Sequence, residues 1–285
     1  VLRYNSILDK ITVILESSLL GFTKKCLVQG FAITNQSPSE TLLYWTDGVT
    51  QPKKINVFRA LQHIKGDFVN GYPQTLELEH IRWIKSPPVD APSFVHGKDP
   101  DVAYNNLSDN VFQFRYRYVH KDGERTAYSA SSKASFSEYQ LRNGVFQNQN
   151  LDLVYNYVDI NLKNAWNDVD KIEVIAKNIN STEWVLVKTL DNDPLSESQT
   201  YRFYNDDVYN AVDQFDAIKN YDAVPIRAVA TENIFNRAVF GNAVDGYDSL
   251  NQEVLDDQTT YNARYSQRNV MDSDDITFSV NNAPD

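Results

Sequence analysis

Four histidines, His63, His80, His96 and His120, are the first residues to weigh for chemistry. A catalytic imidazole needs a nucleophile and an orienting group within hydrogen-bond reach. The chain has no Gly-x-Ser-x-Gly elbow and no His-Glu-x-x-His pair, and its single cysteine, Cys26, lacks a partner motif. The histidines therefore read as structural or solvated. With ten glycines and neither Gly-x-Gly-x-x-Gly nor Gly-x-x-x-x-Gly-Lys, no phosphate-cradling loop is present. Asp191 with Asp193, and Asp206 with Asp207, offer hard oxygen ligands. They lack the central glycine and terminal Glu of a calcium loop, so solvated turns are the default. Two of the 38 acids could flank a glycosidic bond beside a Trp or Tyr platform, which keeps a glycoside hydrolase or depolymerase open as one alternative. No catalytic residue, cofactor or metal is expected, and the chain is read as not an enzyme.

Positioning any site here falls to β-structure. Seventeen Tyr, fourteen Phe and four Trp stand among many Val, Ile and Thr with one Met, a composition suited to pleated, half-buried surfaces. The net charge of −11 disfavours gripping a phosphate backbone but not lying beside one. One cysteine forbids an internal disulfide, and no apolar run of about 18 residues could cross a bilayer as a helix, so no membrane insertion is expected. The sequence opens at Val1 within a strand-like run and its only Met is Met271, which reads as part of a longer chain. The triplets at Asn35, Asn106 and Asn180 match the glycosylation pattern but decide nothing in an Asn-rich chain.

Along the chain, residues 11–15 and 26–33 read as a hairpin joined through Ser17, Ser18 and Gly21. Residues 42–46 form a strand ending at the Asp47-Gly48 turn, and Pro52 starts a new segment. Ile55, Phe58, Leu61 and Ile64 recur at helical spacing within 53–65, whereas 76–84 alternates like a strand. Pro87, Pro88 and Pro92 mark a linker. Residues 111–119 alternate aromatic and polar residues, the clearest strand in the chain; Lys121 to Glu124 turns, and 126–132 runs back. Short strands follow at 155–162, 171–176, 184–190 and 200–204, a spacing typical of a sandwich. A short helical turn is expected over 213–220, an extended run over 229–240 ending at Gly241, and a polar arm over 251–285.

Tyr44-Trp45-Thr46-Asp47 spells the repeat of YWTD β-propellers of lipoprotein-receptor type, but it occurs once where such a propeller needs one per blade. The longer string LLYWTDGVTQPKKIN over 42–56 resembles a segment of podovirus tail nozzle proteins, called muzzle or stabilization proteins in crAss-like bacteriophages. A second string, ENIFNRAVFGNAVDGY over 232–247, is similar to the Asn-Arg, Gly-Asn, Gly-Tyr segment that follows in the same proteins, in the same order. In these strings Tyr44, Trp45, Thr46, Asp47, Gly48, Pro52, Ile55, Asn56, Asn236, Arg237, Gly241, Asn242, Gly246 and Tyr247 read as structural motif residues. Asp47 and Gly48 would close a turn, Pro52 fix its exit, Tyr44 and Trp45 pack, and Arg237 anchor a turn through carbonyl oxygens.

The expected architecture is mainly β: a propeller-like or sheet base with an inserted immunoglobulin or fibronectin III-like β-sandwich and little helix. Residues 1–90 form the base segment, 91–210 the insertion, 211–250 the return to the base, and 251–285 an extended arm. The resemblance implies a virion structural protein in a phage tail nozzle ring, the distal DNA-exit conduit. Its implied partners are copies of itself, other tail proteins, and DNA passing without sequence-specific binding. A carbohydrate-binding β-sandwich adhesin is the other alternative.

Overall fold

In the computed structural model the described residues are 1–22, 24, 27–34, 41–107, 110–135, 155–219, 225–234 and 237–245. They are mainly β with little helix, in antiparallel sheets. β1 (Leu2–Asn5) and β2 (Lys10–Val13) pair as a separate hairpin. β3 (Gln29–Thr34), β4 (Thr41–Thr46) and β5 (Lys53–Asn56) make a three-stranded sheet. α1 (Val57–Ile64) and α2 (Leu78–Ile81) accompany it, with a core that includes Leu15, Trp45, Ile55, Ala60 and Ile81. β13 (Pro225–Ile234) and β14 (Arg237–Asp245) return as a hairpin to this base. There the Gly48 amide donates to the Ala228 carbonyl at 3.0 Å, and Phe240 meets Trp83 edge to face at 4.7 Å.

Between these segments lies a two-sheet sandwich. One sheet runs β11 (Ser198–Phe203), β8 (Tyr157–Lys163), β6 (Ser93–Gly97). The other runs β12 (Asn210–Ala211), β10 (Val185–Asp191), β9 (Val169–Asn178), β7 (Phe112–His120). Both contribute to one core containing Phe114, Ile160, Ile172, Val174 and Phe203, each worth about 1.5–3 kcal/mol on burial. Counted along the chain, the strands fall 1-3-6 and 2-4-5-7. Immunoglobulin constant domains have A-B-E-D and C-F-G, so the layers are shared and the connectivity is this chain's own. α3 (Gln214–Ile218) follows, capped by the Asp213 carboxylate accepting from the Phe215 amide.

The free edge of β7 is covered in an unusual way. After the turn at Gly123, whose φ of 83° suits glycine, the chain runs back but meets β7 at every third residue. The amides of Thr126, Ser129, Ser132 and Ser135 donate to the carbonyls of Tyr118, Tyr116, Phe114 and Phe112 at 2.8–3.0 Å. The amides of those same four aromatic residues donate back to the four hydroxyl oxygens at 2.9–3.2 Å. Three residues thus span two strand residues, about 6.8 Å, tighter than the roughly 9.3 Å of polyproline II. The Thr-x-x-Ser-x-x-Ser-x-x-Ser spacing is the signature, because a hydroxyl must replace the carbonyl that a true strand would offer. Ser132→Ala should leave the buried Phe114 amide without an acceptor and cost about 1–3 kcal/mol in urea unfolding; a change under 0.5 kcal/mol would show the hydroxyls to be incidental.

Several sequence expectations are corrected. Residues 11–15 do not pair with 26–33: β2 pairs with β1 and β3 with β4. The missed turn is built by the Asn5 carboxamide, which accepts from the Ile7 and Leu8 amides at 3.0 and 3.1 Å, despite apolar residues at its tip. Within 53–65 the first four residues are strand, and the helix starts where Asn56 caps the Arg59 amide at 3.2 Å. The alternation at 76–84 hides a one-turn helix whose Glu77 amide donates to His80 Nδ1 at 2.9 Å. Gly241 does not end a strand but lies inside β14, where an added Cβ would stand 3.2 Å from the Ala230 Cβ. The expected arm at 251–285 lies outside the described residues.

Candidate functional site

Three consecutive residues of β5 are buried: Lys53, Lys54 and Ile55. Two lysines in one buried strand demand partners, because an unpaired buried ammonium is strongly unfavourable. They point to opposite faces. Lys53 reaches Asp47 at 3.0 Å, and Asp47 also accepts from the Val49 and Thr50 amides at 2.9 and 2.7 Å. Burial alone would raise the Asp47 carboxyl, but hydrogen bonds from Thr50, Val49 and Lys53 prevail and hold it at about 2. With Gly48 at φ 74°, Asp47 closes the β4–β5 turn, as expected from the sequence.

Lys54 crosses to the sandwich, to Asp122 at 2.6 Å and to Glu124, on the turn after β7. Burial works against its ammonium, yet the Glu124 and Asp122 carboxylates together carry its pKa above the ordinary lysine value. Arg59 of α1 pairs with Asp168 and donates to the Asn167 carboxamide oxygen at 3.1 Å. Asn167 in turn donates to the carbonyls of Phe68, Val69 and Gly71 at 2.9–3.2 Å. Trp166, just before them, packs against the base core, with His80 edge-on at 4.3 Å and the Arg59 and Lys85 cations 5.5 and 5.6 Å from its ring. A cleft of about 370 Å³ opens at this joint, lined by Lys54, Arg59, His80, Lys85, Asp122 and Asp168 among others.

The titratable groups of the joint are committed to holding it. Burial, reinforced by Lys85, lowers His80 to about 4, so its ring is neutral and accepts the Glu77 amide at Nδ1. Burial, again with Lys85, lowers His120 to about 3; its Nδ1 bonds Asp168 at 3.1 Å, and its buried Nε2 has no hydrogen-bond partner. Burial, then Lys54, brings Lys85 down to about 8, but its Nζ is engaged by the Glu79 and His80 carbonyls at 2.7 and 3.0 Å. No nucleophile is paired with a base in this cleft. Among the described residues no group of three His, Cys, Asp or Glu is placed to hold a metal.

The other residues singled out from sequence are dispersed. Nδ1 of His63 faces the Tyr72 carbonyl at 3.2 Å, and Nε2 of His96 faces the Ser135 carbonyl at 3.1 Å. Asp193 accepts the Leu195 amide and Asp207 the Val208 amide within their own loops, while Asp206 accepts the Tyr104 hydroxyl from a distant part of the chain at 3.4 Å. Asp191 ends β10. Tyr44 packs on Phe31 and Trp83 at 5.2 and 4.6 Å, while Trp45 and Ile55 lie in the base core. Thr46 is buried, and Pro52 offers its carbonyl to the Trp83 amide at 3.1 Å. Arg237 opens β14 and is exposed, and Asn242 takes a left-handed φ of 48° within it. Asn236, Gly246 and Tyr247 lie outside the described residues. Sequence reading missed Lys54, Arg59, Lys85, Asp122, Glu124 and Trp166 as a group. The available signal was the lysine pair between Pro52 and Ile55, which implies acids from elsewhere in the chain. No protein-family model matches the chain, and a search of curated proteins returns no match.

Proposed function

We propose that this chain is a structural subunit of a phage tail nozzle ring, part of the wall of the distal DNA-exit conduit. One observation carries the reading: the string resembling nozzle proteins and a cluster of buried, paired charges coincide in one joint. Asp47, Gly48 and Asn56 shape β5 and its ends, and Lys54 on that strand ties the base to the sandwich. Such a joint fixes the pose of two units rather than turning over a substrate. The net charge of −11 supports the same role, since it denies passing phosphates a place to bind.

The rival readings draw less support. Asp122 and Asp168 share the cleft, but Lys54 outweighs burial to hold Asp122 below its usual range and Arg59 occupies Asp168; Glu124 beside them is raised by burial, as a glycosidase acid would be, but its carboxylate is tied to Lys54. An aromatic platform for sugar is obstructed at Tyr157, whose ring is covered by the Arg202 guanidinium at 3.8 Å. Gold-labelled antibody against residues 93–211 tests the proposal on intact particles. Label at the distal tail tip is the expected result; label confined to the capsid, or protein found only free of particles, would overturn it.

A further inference from the structure

The cleft at the joint carries a positive surplus in an acidic chain. Lys54, Arg59, Lys85 and Lys121 line it with Asp122 and Asp168, and Glu124 is tied to Lys54, so four cations meet three carboxylates where the whole chain stands at −11. Those carboxylates are taken, Asp122 and Glu124 by Lys54 and Asp168 by Arg59 and His120. Lys85 and Lys121 are left with no carboxylate in ion-pair reach among the described residues. Lys85 is 3% exposed and donates two of its three N–H groups to the Glu79 and His80 carbonyls; the third has no oxygen or nitrogen acceptor among those residues. Lys121 is exposed at the rim, where its backbone amide donates to the Asp168 carbonyl at 2.9 Å. Tyr72, also 3% exposed and part of the lining, accepts the Asn56 amide at its hydroxyl oxygen at 2.9 Å, and its own proton has no acceptor among the described residues.

We infer that this cleft binds a small phosphate monoester, its phosphoryl group on Lys85, Lys121 and Tyr72 and its organic part on Leu42, Phe58 and Val69. The unspent groups are all donors and two are cations, so the ligand must bring acceptors and negative charge. A phosphoryl group presents three acceptor oxygens and close to two charges to donors that arrive from three segments, after α1, after α2 and after β7. A carboxylate has one oxygen and one charge fewer. The apolar part of the lining, with Phe58 and Val69 38% and 79% exposed, stays wet beneath a bare inorganic anion and is covered by an organic body. A volume of about 370 Å³ admits such a molecule but no nucleic-acid duplex, so the site is compatible with a surface that repels passing DNA. The neighbours feel the same surplus: after burial, Lys85 is the largest cause of the lowering of His80 and His120, and Lys54 of the lowering of Lys85.

The inference stands apart from ring assembly and is tested on the isolated full chain. Phenyl phosphate, benzoate and phenol are titrated calorimetrically at one ionic strength into the wild type, Lys121→Glu and Lys188→Glu, the last a control on β10 outside the cleft lining. Both lysines are exposed, and matching thermal unfolding without ligand shows that neither substitution disturbs the fold. The expected result is that phenyl phosphate binds the wild type and the control alike and Lys121→Glu about tenfold more weakly, while phenol does not bind. The same affinity in both variants, weakened or not, reduces the effect to general charge and overturns the site. Benzoate bound as tightly as phenyl phosphate overturns the choice of a phosphoryl group. A wild type that binds no phenyl phosphate overturns the inference, including the case in which another part of the chain fills the cleft.

Discussion

Lys54→Met is expected to lower the unfolding free energy by about 3–5 kcal/mol, since it leaves the Asp122 and Glu124 carboxylates buried at the joint without their cation. The methionine keeps the stem volume, so the loss is electrostatic rather than a packing defect. Adding Asp122→Asn and Glu124→Gln should recover most of it, because a neutral joint no longer contains an unpaired charge. Chemical denaturation of the wild type, the single variant and the triple variant checks both statements. If the single variant unfolds like the wild type, the joint is held without the Lys54 ion pairs.

The joint also shows where sequence reading reaches its limit. Strands β7 to β11 were legible because aromatic and apolar residues alternate with polar ones over enough residues to override ambiguity, as at Phe112, Phe114, Tyr116 and Tyr118. The Asp47-Gly48 turn was legible for a local reason, a short acceptor side chain followed by a residue free to take positive φ. Lys54 with Asp122, or Arg59 with Asp168, was not. These partners lie 68 and 109 positions apart, and nothing local distinguishes the acids of a KDGE turn that meet a buried lysine from those that meet water. Alternation over only four or five residues misled at 76–84, where a cap supplied by the His80 ring decided for a helix turn. The sequence shows 126–132 as a returning partner for β7, but the run meets β7 at a period of three rather than a strand's two and continues to Ser135.

Acidification is the second large expected effect. His120 is neutral and buried in the folded chain, with its pKa lowered from 6.5 to about 3 by burial and by the nearby Lys85, Lys54 and Arg59, against the opposing pull of Asp122. Below pH 6.5 the unfolded chain therefore binds a proton that the folded chain refuses, so stability falls as pH drops from 6.5 toward 3. Asp47, lowered from 3.8 to about 2, holds its contribution above 3.8 and loses it only below, in the last part of the same descent. Urea midpoints measured from neutral pH downward should fall from about pH 6 rather than from the carboxylate range, and His120→Asn should remove its share of that fall, leaving the share of His80, which is lowered likewise. A wild-type profile level down to the carboxylate range would mean that His120 is solvated in the folded protein.

The proposal of a static wall component rests on buried charges that fix a sandwich on a base. Electron cryo-microscopy of the assembled particle tests that most directly. The expected image is a rotationally symmetric ring about an axial channel, with this chain in its wall. A lone subunit, or a particle in which this chain lies outside any such ring, would contradict the proposal.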